Sequence, residues 1–181
     1  MSVSRRAAGL LALALLIAGC ASVQAPGERL AGDLISGRLS VRVDATESAA
    51  ARAMNAGFEL EGSASIGRLG LSAPLGTLLA QVRWAPGQVL LTTPQGETPY
   101  PDLERLTAEL LGESLPVAAL FDWLRGRPWP AAPSEPNAPG AAPGFQQLGW
   151  AINLAGFGEA LVLARRDRPP VVTVRAKIDG P

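Results

Sequence analysis

The sequence predicts an α+β domain built on one curved antiparallel sheet. Three observations lead there. Most of the chain alternates apolar and polar residues at a period of two, one central stretch shifts to helical steps of three and four, and glycines and prolines punctuate the segments between. The alternation leaves one side of the strands polar, which an antiparallel sheet tolerates and a parallel one does not. Strands on both sides of a helical stretch give a sheet with helices laid over it.

The chain opens with an export signal. Arg5 and Arg6 form a basic start, Ala7–Ala18 an apolar run, and small residues follow. The run is about twelve residues, short of the roughly eighteen that a spanning helix needs, so it reads as a cleaved signal. Ile17-Ala18-Gly19-Cys20 fits a lipobox: an aliphatic residue, two small residues and a cysteine whose thiol a diacylglyceryl transferase can alkylate. A signal that merely ends near a cysteine is the alternative, but Cys20 is the only cysteine in the chain and stands where lipidation requires it. The expected organisation is a signal peptide over 1–19, a lipidated tether over 20–33 with Pro26, Gly27 and Gly32, and one domain over 34–181. Ala21 follows the cysteine in place of an aspartate, which points to the outer membrane.

Within the domain, Leu39, Val41 and Val43 share one face of a first strand over Gly37–Asp44 and Arg38, Ser40 and Arg42 the other. After a polar connection over Ala45–Arg52, Phe58 and Leu60 alternate with Glu59 and Glu61, and Gly62 and Ser63 make a turn. Ser65–Leu71 forms a third strand whose Gly67 and Gly70 suggest a bulge or bend. Thr77–Trp84 sets Leu78, Ala80, Val82 and Trp84 on one face, and Pro86-Gly87 turns the chain onto Gln88–Thr93, with Val89 and Leu91.

Asp102 then caps a helix with Leu103, Leu106, Leu110 and Leu111 at helical spacing, stopped by Gly112. A second helix follows Pro116, with Val117, Leu120, Phe121 and Leu124 on a stripe and Gly126 as its stop. Arg127–Gly144 holds six prolines and reads as a long surface loop. Strands near Phe145–Leu154, Glu159–Ala164 and Pro170–Asp179 close the sheet.

Composition narrows the function. The chain carries 16 basic and 16 acidic residues; removing Arg5 and Arg6 leaves 14 against 16, a charge of −2. Nucleic acid, which wants a concentrated basic face, is an unsuitable partner. Histidine is absent, which removes the commonest general base and the commonest metal ligand. Neither G-x-S-x-G nor S-x-x-K occurs. The expectation is a protein that is not an enzyme, without cofactor or metal.

Four segments, in order and spacing, carry a resemblance: Gly37-Arg38-Leu39-Ser40-Val41, Gly57-Phe58-Glu59-Leu60, Leu71-Ser72-Ala73-Pro74-Leu75-Gly76, and Leu115-Pro116-Val117 leading to Trp123-Leu124-Arg125-Gly126. Together, behind a lipobox, they resemble the LolB family of outer-membrane lipoproteins. Such proteins accept other lipoproteins from the periplasmic carrier LolA and insert them into the outer membrane. The resemblance implies an unclosed half β-barrel covered by helices, with an apolar cavity for acyl chains. Its lining would come from Leu39, Val41, Val43, Phe58, Leu60, Leu78, Val82, Val89 and Leu91 of the sheet, with Leu106, Leu110 and Leu120 of the helices. For any one of them, ordinary core is the reading the residues alone favour.

The resemblance further implies that Leu75, in the loop Pro74-Leu75-Gly76, projects into solvent for membrane insertion. Turn chemistry agrees, since Pro74 presets its φ and Gly76 eases the exit. The implied partners are LolA, lipoprotein acyl chains and outer-membrane lipid, handled by a monomer anchored in the outer membrane and facing the periplasm. No G-x-x-x-x-G-K-[ST] motif is present, so transfer would run downhill in affinity. The rival is a structural or assembly lipoprotein that binds another envelope protein through its sheet.

Overall fold

The computed structural model describes residues 34–180. The signal segment 1–19, the tether 20–33 and Cys20 lie outside the described residues. Eleven strands form a single open sheet in the order β6-β5-β4-β3-β2-β1-β11-β10-β9-β8-β7, and every pair is antiparallel. In chain order these are β1 (Ile35–Val43), β2 (Arg52–Gly62), β3 (Gly67–Ser72), β4 (Leu78–Ala85), β5 (Gln88–Thr93) and β6 (Gly96–Tyr100) before the helices. After them come β7 (Ser134–Pro136), β8 (Gly144–Gln147), β9 (Trp150–Asn153), β10 (Leu161–Arg166) and β11 (Val172–Ile178). The helices are α1 (Leu103–Leu111) and α2 (Val117–Trp123).

The chain thus builds one meander outward from β1 to β6, crosses the sheet with the two helices, and returns through β7 to β11. β11 pairs with β1 over Gly37–Val43 and joins the two halves. The sheet does not close. Its edges are β6 and β7, and each carries a proline, Pro99 and Pro136. A proline withholds a ladder donor, so it sits at an edge without loss and discourages a further strand from adding.

One face of the sheet is covered and one is open. Val41, Val43, Phe58, Leu60, Val82, Trp84, Val89, Leu91, Val162, Ala164, Val172, Val174 and Ala176 are buried with the helix residues Leu106, Val117, Phe121 and Trp123 in one cluster. The other face carries Arg38, Arg42, Arg165, Arg175 and Lys177. Among the described residues, the buried core cluster runs from Ile35 to Ala176.

The helix ends follow their sequence signals. The Asp102 carboxylate accepts a hydrogen bond from the Arg105 backbone N–H at 2.6 Å, and Gly112 takes the left-handed conformation at φ 82° and donates to Ala108 O at 2.9 Å. The Thr107 hydroxyl donates to Leu103 O and accepts from the Leu115 N–H, both at 3.0 Å, which ties the approach to α2 onto α1. The Tyr100 hydroxyl donates to the Glu109 carboxylate at 3.0 Å and fastens α1 to β6. That hydrogen bond pushes the Tyr100 pKa up, with desolvation and the Glu109 charge adding to it.

Several expectations need correction. β2 begins at Arg52, six residues before Phe58. β6 and β7 carry no strand signal, being short, polar and proline-bearing. The segment read as one strand over Phe145–Leu154 is a hairpin, because Leu148 and Gly149 both take positive φ, 54° and 76°. Gly67 does not mark a bend. A Cβ there would lie 2.2 Å from Cζ2 of Trp84, so the glycine makes room for an indole lying across it. The register shift falls one turn later, between Leu71 and Ser72, where β4 carries an extra residue.

Gly67→Ala should therefore lower stability by about 2 kcal/mol through overpacking against Trp84. The denaturant midpoint measures it, and an unchanged midpoint would contradict the close fit.

Candidate functional site

Two regions matter, the helix-covered face and the β3–β4 hairpin. On the covered face, Val41, Val43, Phe58, Leu60, Val82, Val89, Leu91 and Leu106 are buried, while Leu39 and Leu120 pack half-buried at the margin. These ten of the twelve candidate lining residues therefore meet in one place. Leu78 and Leu110 do not.

Leu78 is 51% exposed. The extra residue in β4 reverses its parity: Leu71 pairs with Ala80, but Ser72 pairs with Leu78. Since Ser72 is also opposite Gly57, and Gly57 opposite Arg38, Leu78 stands in a row of the open face. Leu110 lies on the apolar stripe of α1 by angle, yet it is 49% exposed. Its turn is the last of the helix and rests on the exposed start of β2. There the Arg52 guanidinium donates to Glu109 O at 3.5 Å and Leu110 O at 3.4 Å. A charged stem covers that end, and half of the leucine stays in water.

The space between sheet and helices is occupied by aromatic side chains. Phe121 meets Trp84 edge-on with ring centroids 5.6 Å apart, and Trp123 lies 6.1 Å from Trp150. Burying a ring of this size stabilises by about 2 to 3 kcal/mol, so α2 is well held. It is also held by a polar clasp. Gln147 is 2% exposed, and its Oε1 accepts from Trp123 Nε1 at 2.7 Å and from the Trp129 N–H at 2.9 Å. Its Nε2 donates to Trp129 O and Ala132 O, both at 2.8 Å. All four hydrogen-bonding positions of this buried amide are used.

A second clasp sits at the connection between α1 and α2. Arg166 Nη2 donates to the Glu113 carboxylate at 2.7 Å and to Pro170 O at 3.2 Å, and its guanidinium lies 5.6 Å from the Trp150 ring centroid. Sequence reasoning missed both Gln147 and Arg166. A polar residue at an inward position of a strand, Gln147 beside Phe145 and Arg166 beside Ala164, was the available signal.

The β3–β4 hairpin places Leu75 in the open. The Gly76 N–H donates to Ala73 O and the Ala73 N–H to Thr77 O, both at 2.8 Å, and Gly76 has φ 85°. This is a three-residue hairpin loop with the glycine at its left-handed position. Leu75 is 96% exposed, and Leu78 and Leu79 at the base of the same hairpin are also exposed. A tip leucine with nothing to cover it loses hydration energy in water that it would recover in an apolar phase. Among the described residues no helix is long and apolar enough to cross a membrane, and no group of side chains is arranged to hold a metal ion.

The described residues thus form an open antiparallel sheet with two helices clasped across one apolar face and a leucine at an exposed hairpin tip. The family model described as outer membrane lipoprotein LolB matches residues 34–175. Outer-membrane lipoprotein LolB of Bordetella petrii is 34% identical over 184 residues, covering 97% of this chain and 91% of the relative. The protein of that name from Cupriavidus pinatubonensis is 36% identical over 172 residues, covering 88% and 80%, and that from Chromobacterium violaceum 33% over 150 residues, covering 79% and 78%. The chain belongs to the LolB family of outer-membrane lipoproteins, the receptors that take up lipoproteins and insert them into the outer membrane.

Gln147→Leu should cost about 3 kcal/mol, because the buried Trp123 indole N–H and the part-buried Trp129 backbone N–H lose their acceptor. Urea unfolding would show it, together with a red shift of tryptophan emission. A stability equal to wild type would mean that the clasp contributes nothing.

Proposed function

We propose that this protein accepts lipoproteins from the periplasmic carrier LolA, shelters their acyl chains between the sheet and the helices, and releases them into the outer membrane. The observation that carries this reading is one apolar cluster, continuous from Val41 through Phe58 and Val82 to Phe121 and Trp123, under a helix of only seven residues. Such a cluster can exchange its own aromatic side chains for acyl chains of equal polarity, so that little hydrophobic free energy is lost in the swap. The helices act as the lid. The curved half-barrel form of the sheet belongs to this reading, with the acyl chains lying in its hollow once α2 lifts.

The protein is anchored through lipid on Cys20, after removal of residues 1–19, and the segment 20–33 tethers the domain to the membrane. It works as a monomer. Transfer needs no nucleotide, because affinity for acyl chains rises from carrier to receptor to bilayer. Leu75 enters the bilayer at the last step, and Pro74 and Gly76 hold it at the tip.

The test uses a chain beginning at Ala21, which keeps every residue of the core cluster found among the described residues. A fluorescent fatty-acyl probe should bind it saturably and be displaced by unlabelled fatty acid. Leu75→Glu should bind the probe as wild type does, yet slow cargo insertion into vesicles by about tenfold or more, the cost of withdrawing a leucine from lipid. Unchanged insertion would remove Leu75 from the mechanism. Absence of saturable probe binding would sink the acyl reading and leave the assembly role as the alternative.

A further inference from the structure

The open face of the sheet carries a charge arrangement that the acyl reading does not use. Arg38 in β1 stands directly opposite Lys177 in β11, and Arg175, two residues along, stands opposite Ser40 and so diagonal to Arg38. Like charges directly opposite on neighbouring strands destabilise a sheet. Lys177 donates to the Glu159 carbonyl. Neither the Arg38 nor the Arg175 guanidinium has a hydrogen-bond or ion-pair partner among the described residues, whereas Arg42 and Arg165 on the same face are paired with Asp44 and Asp167 at 2.8 and 2.6 Å.

These three cations line a groove of about 540 Å³ whose other wall is the β3–β4 hairpin, at Ser72, Ala73, Pro74 and Gly76. Two acids share it, Glu59 and Asp179. Both are diagonal to Arg38, on the side away from Arg175. Glu59 is opposite Ser36, and Asp179 accepts from the Ser36 hydroxyl at 3.1 Å. The hairpin runs the other way: β3 ends at Ser72, in the row of Gly57, Arg38 and Lys177, and continues in the direction of the row of Asn55, Ser40 and Arg175. The unpartnered guanidinium groups therefore border the same groove as the hairpin whose tip is Leu75.

We propose that this groove holds the phosphate of an anionic phospholipid headgroup, bound by Arg38 and Arg175 with Lys177 beside them, while Leu75 enters the acyl region of the same leaflet. The inference rests on the reading of Leu75 as a membrane contact and adds a recognition site for the lipid surface. A phosphate relieves the repulsion between facing cations, and guanidinium suits it because its planar fork donates two hydrogen bonds to phosphate oxygens. An exposed apolar tip beside a cationic groove matches the two layers of a leaflet, acyl chains below and phosphates above. An acidic protein surface would need the cations but not the uncovered leucines at positions 75, 78 and 79.

The test measures binding of the chain beginning at Ala21 to phosphatidylcholine vesicles with and without phosphatidylglycerol. Wild type should bind the anionic vesicles more tightly, and high salt should remove the difference. With Arg38→Ser and Arg175→Ser together the gain should fall by about 25-fold, about fivefold for each cation near a charged surface. Lysine at both positions should keep most of it. The double serine variant should also unfold at a temperature no lower than wild type, since a repulsion has been removed. Leu75→Ser separates the two readings: it should weaken binding to both kinds of vesicle and, adding no charge, leave the gain from phosphatidylglycerol in place. Equal wild-type binding to the two kinds of vesicle would overturn the headgroup site, as would a double serine variant that keeps the full gain. So would a double serine variant that loses only uptake from loaded carrier, which would make the groove a protein contact. If Leu75→Ser binds neutral vesicles as wild type does, the Leu75 reading fails instead.

Discussion

The docking of α2 against the sheet governs what this molecule can be. The helix has seven residues, too few to be stable alone, so its fold is supplied by what it touches. Phe121 finds Trp84, Trp123 finds Trp150, and the Trp123 indole N–H finds Gln147. Around this contact the inward rows of β1, β2, β4, β5, β10 and β11 become a core rather than an exposed apolar trough. Without it the sheet would present a large uncovered apolar face, the kind of surface that draws partners or lipid.

That same constraint links structure to function. On the proposed function, a protein that shelters fatty chains would keep its apolar face dry when empty, and aromatic side chains on a short helix would do so while remaining replaceable. Gln147 and the Glu113–Arg166 pair hold the helix region by localised polar clasps, which on the proposed function are the contacts that would have to open. The exposed Leu75, Leu78 and Leu79 of the β3–β4 hairpin lie outside this core, so on the proposed function membrane contact and acyl shelter would use separate parts of one chain. The bulge in β4 makes that separation possible by turning Leu78 to the open face.

Much of this was legible from sequence where local physics decides. Asp102 and Gly112 bound α1 because capping and left-handed geometry depend on neighbours in sequence, and Pro86-Gly87 turns β4 into β5 for the same reason. Leu75 is placed at a tip by the family resemblance, with Pro74 and Gly76 in agreement; the residues alone favour a leucine folded back onto the core. Nonlocal effects were not legible. Gly67 reads as a bulge or bend until Trp84, seventeen residues on, is seen lying across it. Leu148-Gly149 makes a tight turn without the asparagine that usually signals one. β6 and β7 are strands only because a neighbour offers hydrogen bonds, and Leu78 lost its expected face to a single added residue. Gln147 needed the fold to bring its partners from positions 123, 129 and 132.

The central claim is that α2 yields to acyl chains. Hydrogen exchange at the amides of Val117–Trp123, measured with and without a palmitoylated peptide, tests it most directly. Faster exchange in α2 when the peptide is bound, with β1 and β11 as protected as before, is the result expected of a lid. Peptide bound while α2 keeps its full protection would show that the chains go elsewhere and that the helix is simply core.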